Sequence, residues 1–275
     1  IKYGGAKRVV VVGDVILDEY IVGSAYLISP EAPVPVVNEE RREWMLGGAG
    51  NVAAHCKALG LTVDLIGIIN NEDDSGIRLC SLLEEAGMVT DGLVFSTTRI
   101  TSNKTRIIAG NQQCLRLERQ DNQSLTVHER SALMEKLDAL IQPHDIILIA
   151  DNAKGVIDET LIDYLLMLAH KYRCIVVVEP KGPDFGKYSQ VHYIKTTMTE
   201  FGNLIKFFGL SCRRSLVENG RALCSLLSLE GLFVTLGGNG IRFISPGETV
   251  YSKSLKREVC DITGAGDTVL AYIGA

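Results

Sequence analysis

The chain alternates between short runs of apolar residues and longer segments in which apolar residues recur every three or four positions. The run RVVVV at 8–12 is β-branched throughout its length after the arginine, which is typical of a strand buried on both faces. The segment NVAAHCKALG at 51–60 predicts a helix that ends at Gly60, since glycine adopts the backbone conformation that ends helices. Such alternation predicts a parallel sheet covered by helices on both faces.

The same alternation continues along the chain. Further strands are predicted at 62–69, 145–151, 174–180, 193–197 and 231–237, and further helices at 74–87, 126–141, 158–172, 200–208 and 214–227. The helix at 126–141 opens with Thr126-x-x-Glu129, a capping box in which each side chain binds the backbone amide of the other residue. Because the sequence has no repeat, low-complexity segment or interdomain linker, we predict one domain over residues 1–275.

Two segments interrupt this rhythm. Residues 20–40 contain three prolines and alternating apolar residues, and residues 101–121 alternate around a turn at Gly110. Both predict antiparallel strands outside the main sheet. Open α/β sheets bind ligands beyond the carboxyl ends of their strands, where both segments begin. A lid formed by residues of about 18–40 and 99–121 is therefore favoured over two ordinary surface hairpins.

Composition narrows the classes of function. The chain has 275 residues, a net charge of −5 and a pI of about 5.6, so it lacks the basic field of a nucleic-acid binder. No apolar stretch approaches the roughly 20 residues that cross a bilayer, so no membrane partner is expected. The seven cysteines are scattered without a C-x-x-C pair, which predicts reduced thiols in a cytoplasmic protein and no zinc site. The chain begins at Ile1 without a signal-peptide pattern, and we expect residues before it to be missing.

The strongest candidate for chemistry is the segment DITGAGDTVLAYIGA at 261–275. Its glycine turn, 264–266, would expose backbone N–H groups just before a helix, and such an arrangement binds anions. Asp267 has two interpretations from this stretch alone. It caps the helix, or it is a general base that accepts a proton from a hydroxyl group attacking phosphorus. A P-loop ATPase is excluded because no G-x-x-x-x-G-K-[ST] run occurs.

A second glycine cluster, GGAGNVA at 47–53, fits the loose dinucleotide fingerprint G-x-G-x-x-A. The fingerprint should follow a strand directly, and the preceding EERREWML is charged and poorly strand-like. The better interpretation is a helix N-terminus whose backbone, with Asn51, approaches a polar ligand. The alternative is a helix start that is only tightly packed.

Acidic residues and lysines follow three predicted strands, at the level where ligands bind: Asp14 with Asp18, Asp151 with Lys154, and Glu179 with Lys181. Carboxylates can accept paired hydrogen bonds from adjacent sugar hydroxyls. A solvated loop lysine is the ordinary interpretation of each cation. Two lysines at one architectural level favour neutralisation of a phosphate.

Together these motifs resemble the ribokinase-like (PfkB) family of carbohydrate kinases over nearly the whole chain. GGAGNVA is similar to the N-terminal signature of the family, and DITGAGDT is similar to its more specific C-terminal signature. Within the family, ISPEAPVPVV, KTRIIAGNQQCLRLE, DNAKG and EPKG are most similar to the bacterial kinases of D-glycero-β-D-manno-heptose 7-phosphate. The resemblance implies a three-layer α/β/α fold with a mostly parallel central sheet and a small β-sheet lid.

The resemblance also implies a reaction, which is ATP-dependent phosphorylation of a sugar phosphate. For the heptose kinases the acceptor is the anomeric hydroxyl and the product is the 1,7-bisphosphate, used for ADP-heptose and lipopolysaccharide core synthesis. The implied cofactors are ATP, Mg²⁺ and a monovalent cation such as K⁺. The implied partners are a second copy of the chain and a fused or separate adenylyltransferase. Relatives continue past this point of the fold, so we expect the kinase domain to be incomplete at its C-terminus.

Site residues follow from the resemblance position by position. Asp267 corresponds to the base, with Gly264, Ala265 and Gly266 as the anion hole. The residues implied for the sugar are Asp14, Asp18, Gly47, Gly48 and Asn51. From their places after the strands, Asp151, Lys154 and Lys181 are also expected to bind the sugar phosphate, and we expect at least one of Lys104, Arg106 and Arg116 to bind the 7-phosphate. Those implied for the nucleotide are Thr197, Glu200, Thr235, Gly237 and Gly240. Glu200 would organise Mg²⁺ through water, and Asp261 and Thr263 would bind the monovalent cation.

Four positions depart from the family pattern. Thr197 replaces the asparagine of N-x-x-E, Glu179 the usual aspartate, Asn152 the usual tyrosine, and Leu27 the arginine before I-S-P-E. The alternatives are a family member acting on ribose, fructose, a nucleoside or a vitamin, and a non-catalytic sugar or nucleotide sensor, which Thr197 suggests. An oxidoreductase is the weakest alternative, because it depends on G-x-G-x-x-A alone.

Overall fold

The computed structural model describes residues 8–110, 112–120, 122–255 and 263–275. The strands in this part of the chain are β1 (Arg8–Gly13), β2 (Val15–Ile28), β3 (Pro35–Gly48), β4 (Thr62–Ile69), β5 (Leu93–Phe95), β6 (Ser102–Ala109), β7 (Gln112–Arg119), β8 (Ile146–Ala150), β9 (Ile175–Glu179), β10 (Tyr193–Thr197), β11 (Gly231–Thr235), β12 (Ile241–Ile244) and β13 (Thr249–Ser252). The α-helices are α1 (Ala49–Ala58), α2 (Asp74–Glu85), α3 (Val127–Leu140), α4 (Glu159–Tyr172), α5 (Met198–Phe207), α6 (Leu216–Leu227) and α7 (Ala265–Gly274).

The larger sheet has the strand order β13-β12-β11-β10-β9-β8-β1-β4-β5. The strands from β11 to β5 in this order pair in parallel, and β12 and β13 extend the sheet as an antiparallel hairpin. Parallel strands bring their carboxyl ends to one edge of a sheet. The residues that follow β1, β8, β9, β10 and β11 therefore share one edge, as the sequence predicts.

The centre of the sheet is buried on both faces because successive side chains of a strand point to opposite sides. Val10 and Val12 of β1 contribute to an apolar core shared with α3, α4, α5 and α6. Val9 and Val11 contribute to a second core shared with α1, α2 and α7. These two cores confirm the predicted three-layer arrangement.

The smaller sheet has the order β3-β2-β6-β7, and we call it the lid. The β2–β3 and β6–β7 pairs are antiparallel, as predicted, but the two hairpins join through parallel pairing of β2 with β6. The root of β2, Val15–Leu17, is buried in the fold, and its tip is exposed. The lid is therefore a continuation of β1 rather than a separate loop.

One sequence interpretation is wrong at the lid. EERREWML, interpreted as poorly strand-like, lies within β3, so the first lid segment extends to Gly48 rather than ending near residue 40. The reason is that most of β3 is exposed, which allows charged side chains along its length. GGAGNVA thus does follow a strand, but a strand of the antiparallel lid hairpin and not of the parallel sheet where the dinucleotide fingerprint lies.

None of the described helices is long and apolar enough to cross a bilayer. Six of the seven cysteines lie in the described part of the chain and are free thiols, and Cys260 lies outside it.

Candidate active site

Asp267 lies in the first turn of α7, at the edge of the sheet where the parallel strands end. Gly264 is the residue that caps this helix, so the cap position predicted as one role for Asp267 belongs to the glycine. The Oδ2 atom of Asp267 accepts a hydrogen bond of 2.7 Å from Nδ2 of Asn51 on α1. Burial raises the pKa of Asp267, and the Asn51 bond together with the nearby ammonium groups of Lys181 and Lys195 opposes that rise.

The turn before Asp267 requires glycine at two positions. Gly264 has a φ of 74°, in the left-handed region, and a Cβ atom there would lie 2.8 Å from Nδ2 of Asn51. A Cβ atom at Gly266 would lie 2.9 Å from Nζ of Lys195. The first backbone N–H groups of a helix have no partner within the helix and carry the positive end of its dipole. The turn 264–266 can therefore bind an anion next to the Asp267 carboxylate.

A buried ion pair lies beneath this turn. Lys195 of β10 is 0% exposed, and its Nζ atom is 2.7 Å from Oε1 of Glu179 on β9. Burial raises the pKa of Glu179, and the Lys195 ammonium opposes that rise. The sequence interpretation missed Lys195, although a lysine inside the apolar strand YIKTT was the available signal. Both members of the pair lie close to Gly266: a Cβ atom there would lie 2.9 Å from Nζ of Lys195 and 3.0 Å from Oε1 of Glu179.

Asp14, at the end of β1, binds the loop that follows β8. Its carboxylate accepts backbone N–H groups from Asn152 at 2.7 Å, Lys154 at 3.2 Å and Val156 at 3.4 Å. The side chain is 2% exposed, and burial, reinforced by the neighbouring Asp151, raises its pKa from the ordinary 3.8 to about 6. Asp14 therefore organises the loop that carries Lys154, and its predicted contact with a sugar stays a prediction.

Asp151 is turned toward the interior of the fold. Its carboxylate accepts hydrogen bonds from the amide of Ala153 and the ammonium of Lys187, both at 2.7 Å, and from the hydroxyl of Tyr188. The next residue, Asn152, accepts a hydrogen bond of 3.0 Å from Nζ of Lys181. These contacts fix the loop after β8 on both sides.

The loop after β8 also contacts the lid. The ammonium of Lys154 donates to the side-chain oxygen of Gln120, just beyond β7, and lies 4.0 Å from Oε2 of Glu118. A Cβ atom at Gly48 would lie 3.1 Å from Nδ2 of Asn152. The start of α1, the loop and the second lid hairpin therefore meet at one place.

The site-facing side of the lid carries a second ion pair. Nη1 of Arg106 on β6 is 2.6 Å from Oδ1 of Asp18 on β2, and only 12% and 14% of the two side chains is exposed. Lys104 is the register partner of Asp18, and a Cβ atom at Gly47 would lie 2.5 Å from Oδ2 of Asp18. Burial lowers the pKa of Lys104, and the Lys181 and Lys154 ammonium groups lower it further.

These contacts bring together a group of cations. Lys104 lies close enough to Lys154 and Lys181 to feel their charges, and both Lys104 and Arg106 neighbour Asp18 on β2. Arg116, the third predicted phosphate ligand, pairs with Glu118 on β7 at 2.9 Å and is more than half exposed. An anionic ligand seated under the lid would face Lys104 and Arg106 more directly than Arg116.

The residues predicted for a nucleotide lie at the ends of β10 and β11. Thr197 and Glu200 form a capping box at the start of α5: the Thr197 amide donates to Oε2 of Glu200 at 2.8 Å, and the Glu200 amide donates to the Thr197 hydroxyl at 3.3 Å. Thr235 is the register partner of Thr197 and donates to the carbonyl oxygen of Thr196 at 3.3 Å.

The glycines predicted beside them bound the turn after β11. Gly237 begins the short 3₁₀ helix Gly237–Asn239, and Gly240 ends it. Thr263 is exposed directly before the α7 turn, and Asp261 lies outside the described residues. The structure thus places the predicted nucleotide residues at the same sheet edge as Asp267, further along toward β13.

Comparison with known proteins gives a family match and curated relatives. The family model described as pfkB family carbohydrate kinase matches residues 6–273. The chain is 36% identical over 273 residues to Bifunctional protein HldE of Geobacter sulfurreducens, covering 99% of this chain and 55% of that protein. It is also 36% identical over 267 residues to Bifunctional protein HldE of Helicobacter pylori, covering 97% and 57%. The chain spans about half the length of the curated relatives it matches.

Solved structures share the fold at low sequence identity. Phosphofructokinase-2 of Escherichia coli in complex with substrates and products superposes with a TM-score of 0.78 at 16% identity, over 96% of this chain and 84% of that one. The same protein in complex with potassium gives 0.79 at 16% identity, over 98% and 85%. Ribokinase of Arabidopsis thaliana with ribose and ATP gives 0.69 at 17% identity, over 97% and 84%.

The Asp14 carboxyl predicts a pH dependence of stability. A carboxyl group whose folded-state pKa exceeds its unfolded value binds more protons when folded, so its contribution to stability falls as pH rises between the two values. The shift from 3.8 to about 6 corresponds to about 3 kcal/mol. Part of this loss has already occurred at pH 4. From pH 4 to pH 7, the free energy of unfolding of the wild type should therefore fall by about 2 kcal/mol relative to that of Asp14→Asn.

Urea unfolding at both pH values measures this difference. Asp163→Asn, which changes an exposed aspartate on α4, is the matched control and should follow the wild type. Parallel pH profiles for the wild type and Asp14→Asn would contradict the interpretation of Asp14.

The ion pair beneath α7 predicts a large loss of stability when one partner is removed. Lys195→Met removes the cation that contacts the buried Glu179 carboxylate, and breaking such a pair typically costs about 3–5 kcal/mol. The loss should be smaller at pH 5 than at pH 8, because a buried carboxyl of raised pKa escapes the penalty by binding a proton. Urea unfolding of Lys195→Met beside Lys195→Met/Glu179→Gln tests this, and we expect the double variant to recover part of the loss. A single variant as stable as the wild type would show that the pair carries no such constraint.

Proposed function

The chain belongs to the pfkB family of carbohydrate kinases, and from this premise we propose that it transfers the γ-phosphoryl group of ATP to a sugar phosphate. The observation that carries the proposal is the Asp267 carboxylate, buried beside the glycine turn 264–266 and hydrogen-bonded to Asn51. Phosphoryl transfer needs a group to receive the proton of the attacking hydroxyl and dipoles to stabilise charge on the transferred group. In this protein the proposed proton acceptor, Asp267, and the amides of the glycine turn lie together at the first turn of α7.

In this mechanism Asp267 is the general base. Its raised pKa makes it a better proton acceptor than an ordinary aspartate, and its bond with Asn51 fixes the carboxylate in one orientation. The amides of Ala265 and Gly266 donate hydrogen bonds to the oxygens of the phosphoryl group as it moves between donor and acceptor. Lys195 and Glu179, paired beneath Gly266, support the turn from below.

Mg²⁺ suits the carboxylate at the start of α5. Oε2 of Glu200 is used by the capping box, which leaves Oε1 as the oxygen for a magnesium-bound water. Thr197 supports this role by holding the carboxylate in place, although it replaces the asparagine of the family pattern. When bound, Mg²⁺ neutralises charge on the phosphates of the nucleotide. Thr235, Gly237 and Gly240 are proposed to line the nucleotide site beside it.

We propose D-glycero-β-D-manno-heptose 7-phosphate as the acceptor and the 1,7-bisphosphate as the product, in the synthesis of ADP-heptose for lipopolysaccharide. The identity of 36% to proteins named HldE over nearly the whole chain supports a shared substrate. The cations Lys104, Arg106, Lys154 and Lys181 suit a substrate that carries its own phosphate. Asp18, Gly47, Gly48 and Asn51 are proposed to contact the sugar.

Several further proposals depend on the relatives. The relatives are named bifunctional and are nearly twice as long as this chain, which supports an adenylyltransferase as a fused or separate partner. Phosphofructokinase-2 has been solved with potassium, which supports a K⁺ site near Thr263 and Asp261. We also propose a homodimer, a cytoplasmic location and a single kinase domain that includes the lid.

Asp267→Asn tests the proposed base. An amide cannot accept the proton, so kcat should fall by roughly 10²–10⁴-fold while α7 stays folded. Release of ADP in a coupled assay with heptose 7-phosphate measures the rate, and circular dichroism checks the fold. Asp163→Asn serves as a control with an exposed aspartate. A variant that keeps nearly the full rate would exclude Asp267 as the base, and a wild type inactive on a panel of sugar phosphates would exclude the proposed reaction.

Arg106→Ala tests recognition of the substrate phosphate. Loss of a charge-assisted hydrogen bond should raise KM for heptose 7-phosphate roughly tenfold, with KM for ATP little changed. The same change should have little effect on weak turnover of the unphosphorylated heptose. Arg119→Ala is a matched control, because Arg119 is paired in register with Asn103 and so projects from the opposite face of the lid. A normal KM in Arg106→Ala would remove Arg106 from the phosphate site.

A further inference from the structure

A second polar contact joins α1 and α7 one helical turn beyond the Asn51–Asp267 bond. Nε2 of His55 on α1 lies 3.1 Å from the hydroxyl oxygen of Thr268 on α7. The same hydroxyl oxygen lies 3.0 Å from the carbonyl oxygen of Gly264. His55 follows Asn51 by four residues, so the two side chains lie on one face of α1 and contact consecutive residues of α7.

The hydroxyl of Thr268 has one hydrogen and two neighbours. If it donates to Gly264, it must accept from an N–H group at Nε2 of His55. If Nε2 of His55 carries no hydrogen, it competes for the hydroxyl hydrogen, and Gly264 loses that bond. The form of His55 with hydrogen on Nε2 therefore keeps the Thr268 hydroxyl on the Gly264 carbonyl.

The Gly264 carbonyl matters because of the peptide unit that contains it. In a planar trans peptide the C=O and the next N–H point in opposite directions. The carbonyl of Gly264 accepts two bonds from Thr268, one from its amide at 2.9 Å and one from its hydroxyl at 3.0 Å. Holding this oxygen toward the body of α7 aims the N–H group of Ala265 out of the helix, toward the anion site.

Gly264 is the residue of this turn that most needs such a restraint. Its φ of 74° lies in a region open to glycine, and glycine has no side chain to limit rotation of the adjoining peptide. Asn51 restrains the Asp267 side chain, whereas the Gly264 carbonyl is bound by Thr268. The Thr268 hydroxyl is the side-chain donor to that oxygen among the described residues, and His55 sets its direction.

We propose that His55 is a positioning residue for phosphoryl transfer: its Nε2–H group orients the Thr268 hydroxyl onto Gly264 and so aims the Ala265 amide at the transferred phosphoryl group. The inference deepens the proposed kinase function and rests on it. His55 contacts Thr268, the residue after Asp267, and its proposed effect on the reaction passes through that hydroxyl.

The test compares His55→Ala, His55→Gln and Thr268→Val. Removing the imidazole or the hydroxyl should lower kcat roughly three- to tenfold, the range of one hydrogen bond, with KM for heptose 7-phosphate within twofold of the wild type. His55→Gln, whose amide can place an N–H group near the position of Nε2, should restore kcat to within twofold. His128→Ala, on the exposed start of α3, is the matched control.

A double variant separates positioning from a general loss of stability. If His55 acts through Thr268, His55→Ala/Thr268→Val should be no slower than the slower single variant. Multiplied losses in the double variant, or a wild-type kcat in His55→Ala, would overturn the proposal. A loss of kcat in His55→Ala that His55→Gln does not restore would overturn it too.

Amide hydrogen exchange of the segment 264–268, followed by mass spectrometry, tests the contact without activity. Exchange should be several-fold faster in His55→Ala and Thr268→Val than in His128→Ala, and unchanged exchange would overturn the proposal. A wild type that shows this exchange pattern but no kinase turnover would contradict the proposed function and leave the positioning contact standing. Turnover that survives Asp267→Asn but falls in His55→Ala would contradict only the role of Asp267.

Discussion

The balance of charge beneath the first turn of α7 is the constraint on which the rest of the site depends. Asp267 and Glu179 are carboxylates removed from water. Burial raises the pKa of both, and the charge of Asp267 raises that of Glu179 further. Lys195 and Lys181 offset this cost, with Lys195 in direct contact with Glu179. Because a buried charge without a counter-charge is expensive, β9, β10 and α7 must keep their relative positions for Asp267 to remain ionised and ready to accept a proton.

Buried charged groups in the outer part of the site also have partners. Asp14 is satisfied by backbone amides of the loop after β8, and that loop in turn places Lys154 against the lid. Arg106 already forms an ion pair with Asp18 in the protein without ligand. The proposed substrate phosphate would therefore meet a cation whose position is already fixed, so that little side-chain freedom would be lost on binding.

Sequence patterns predicted the fold because its central strands and helices are specified by residues that lie close together along the chain. The valines of β1 and the periodic helices are recognisable from neighbours along the chain, and DITGAGDT carries its turn and its acid within a few residues. The part of β3 beyond residue 40 was missed because an exposed strand has no apolar period to recognise. The roles of Lys195 and His55 could not be recognised from the sequence, because they depend on contacts with distant residues. Lys195 contacts Glu179, and His55 contacts Thr268, 213 residues away. Contacts of this range are set by tertiary packing. The capping box of Thr197 and Glu200 is different, since T-x-x-E could have been recognised from spacing alone.

The continuity of β2 has a consequence for how specificity can change in this fold. Val15, Ile16 and Leu17 are no more than 3% exposed and belong to the interior, whereas Tyr26 at the other end of the same strand is 85% exposed. One strand thus runs from the core to the exposed lid, which is proposed to cover the acceptor. The lid cannot be exchanged between relatives as an independent unit, because its strand β2 begins with residues that pack in the core. New acceptor preferences are more accessible through single side chains along β2 and β6 than through recombination of whole lids.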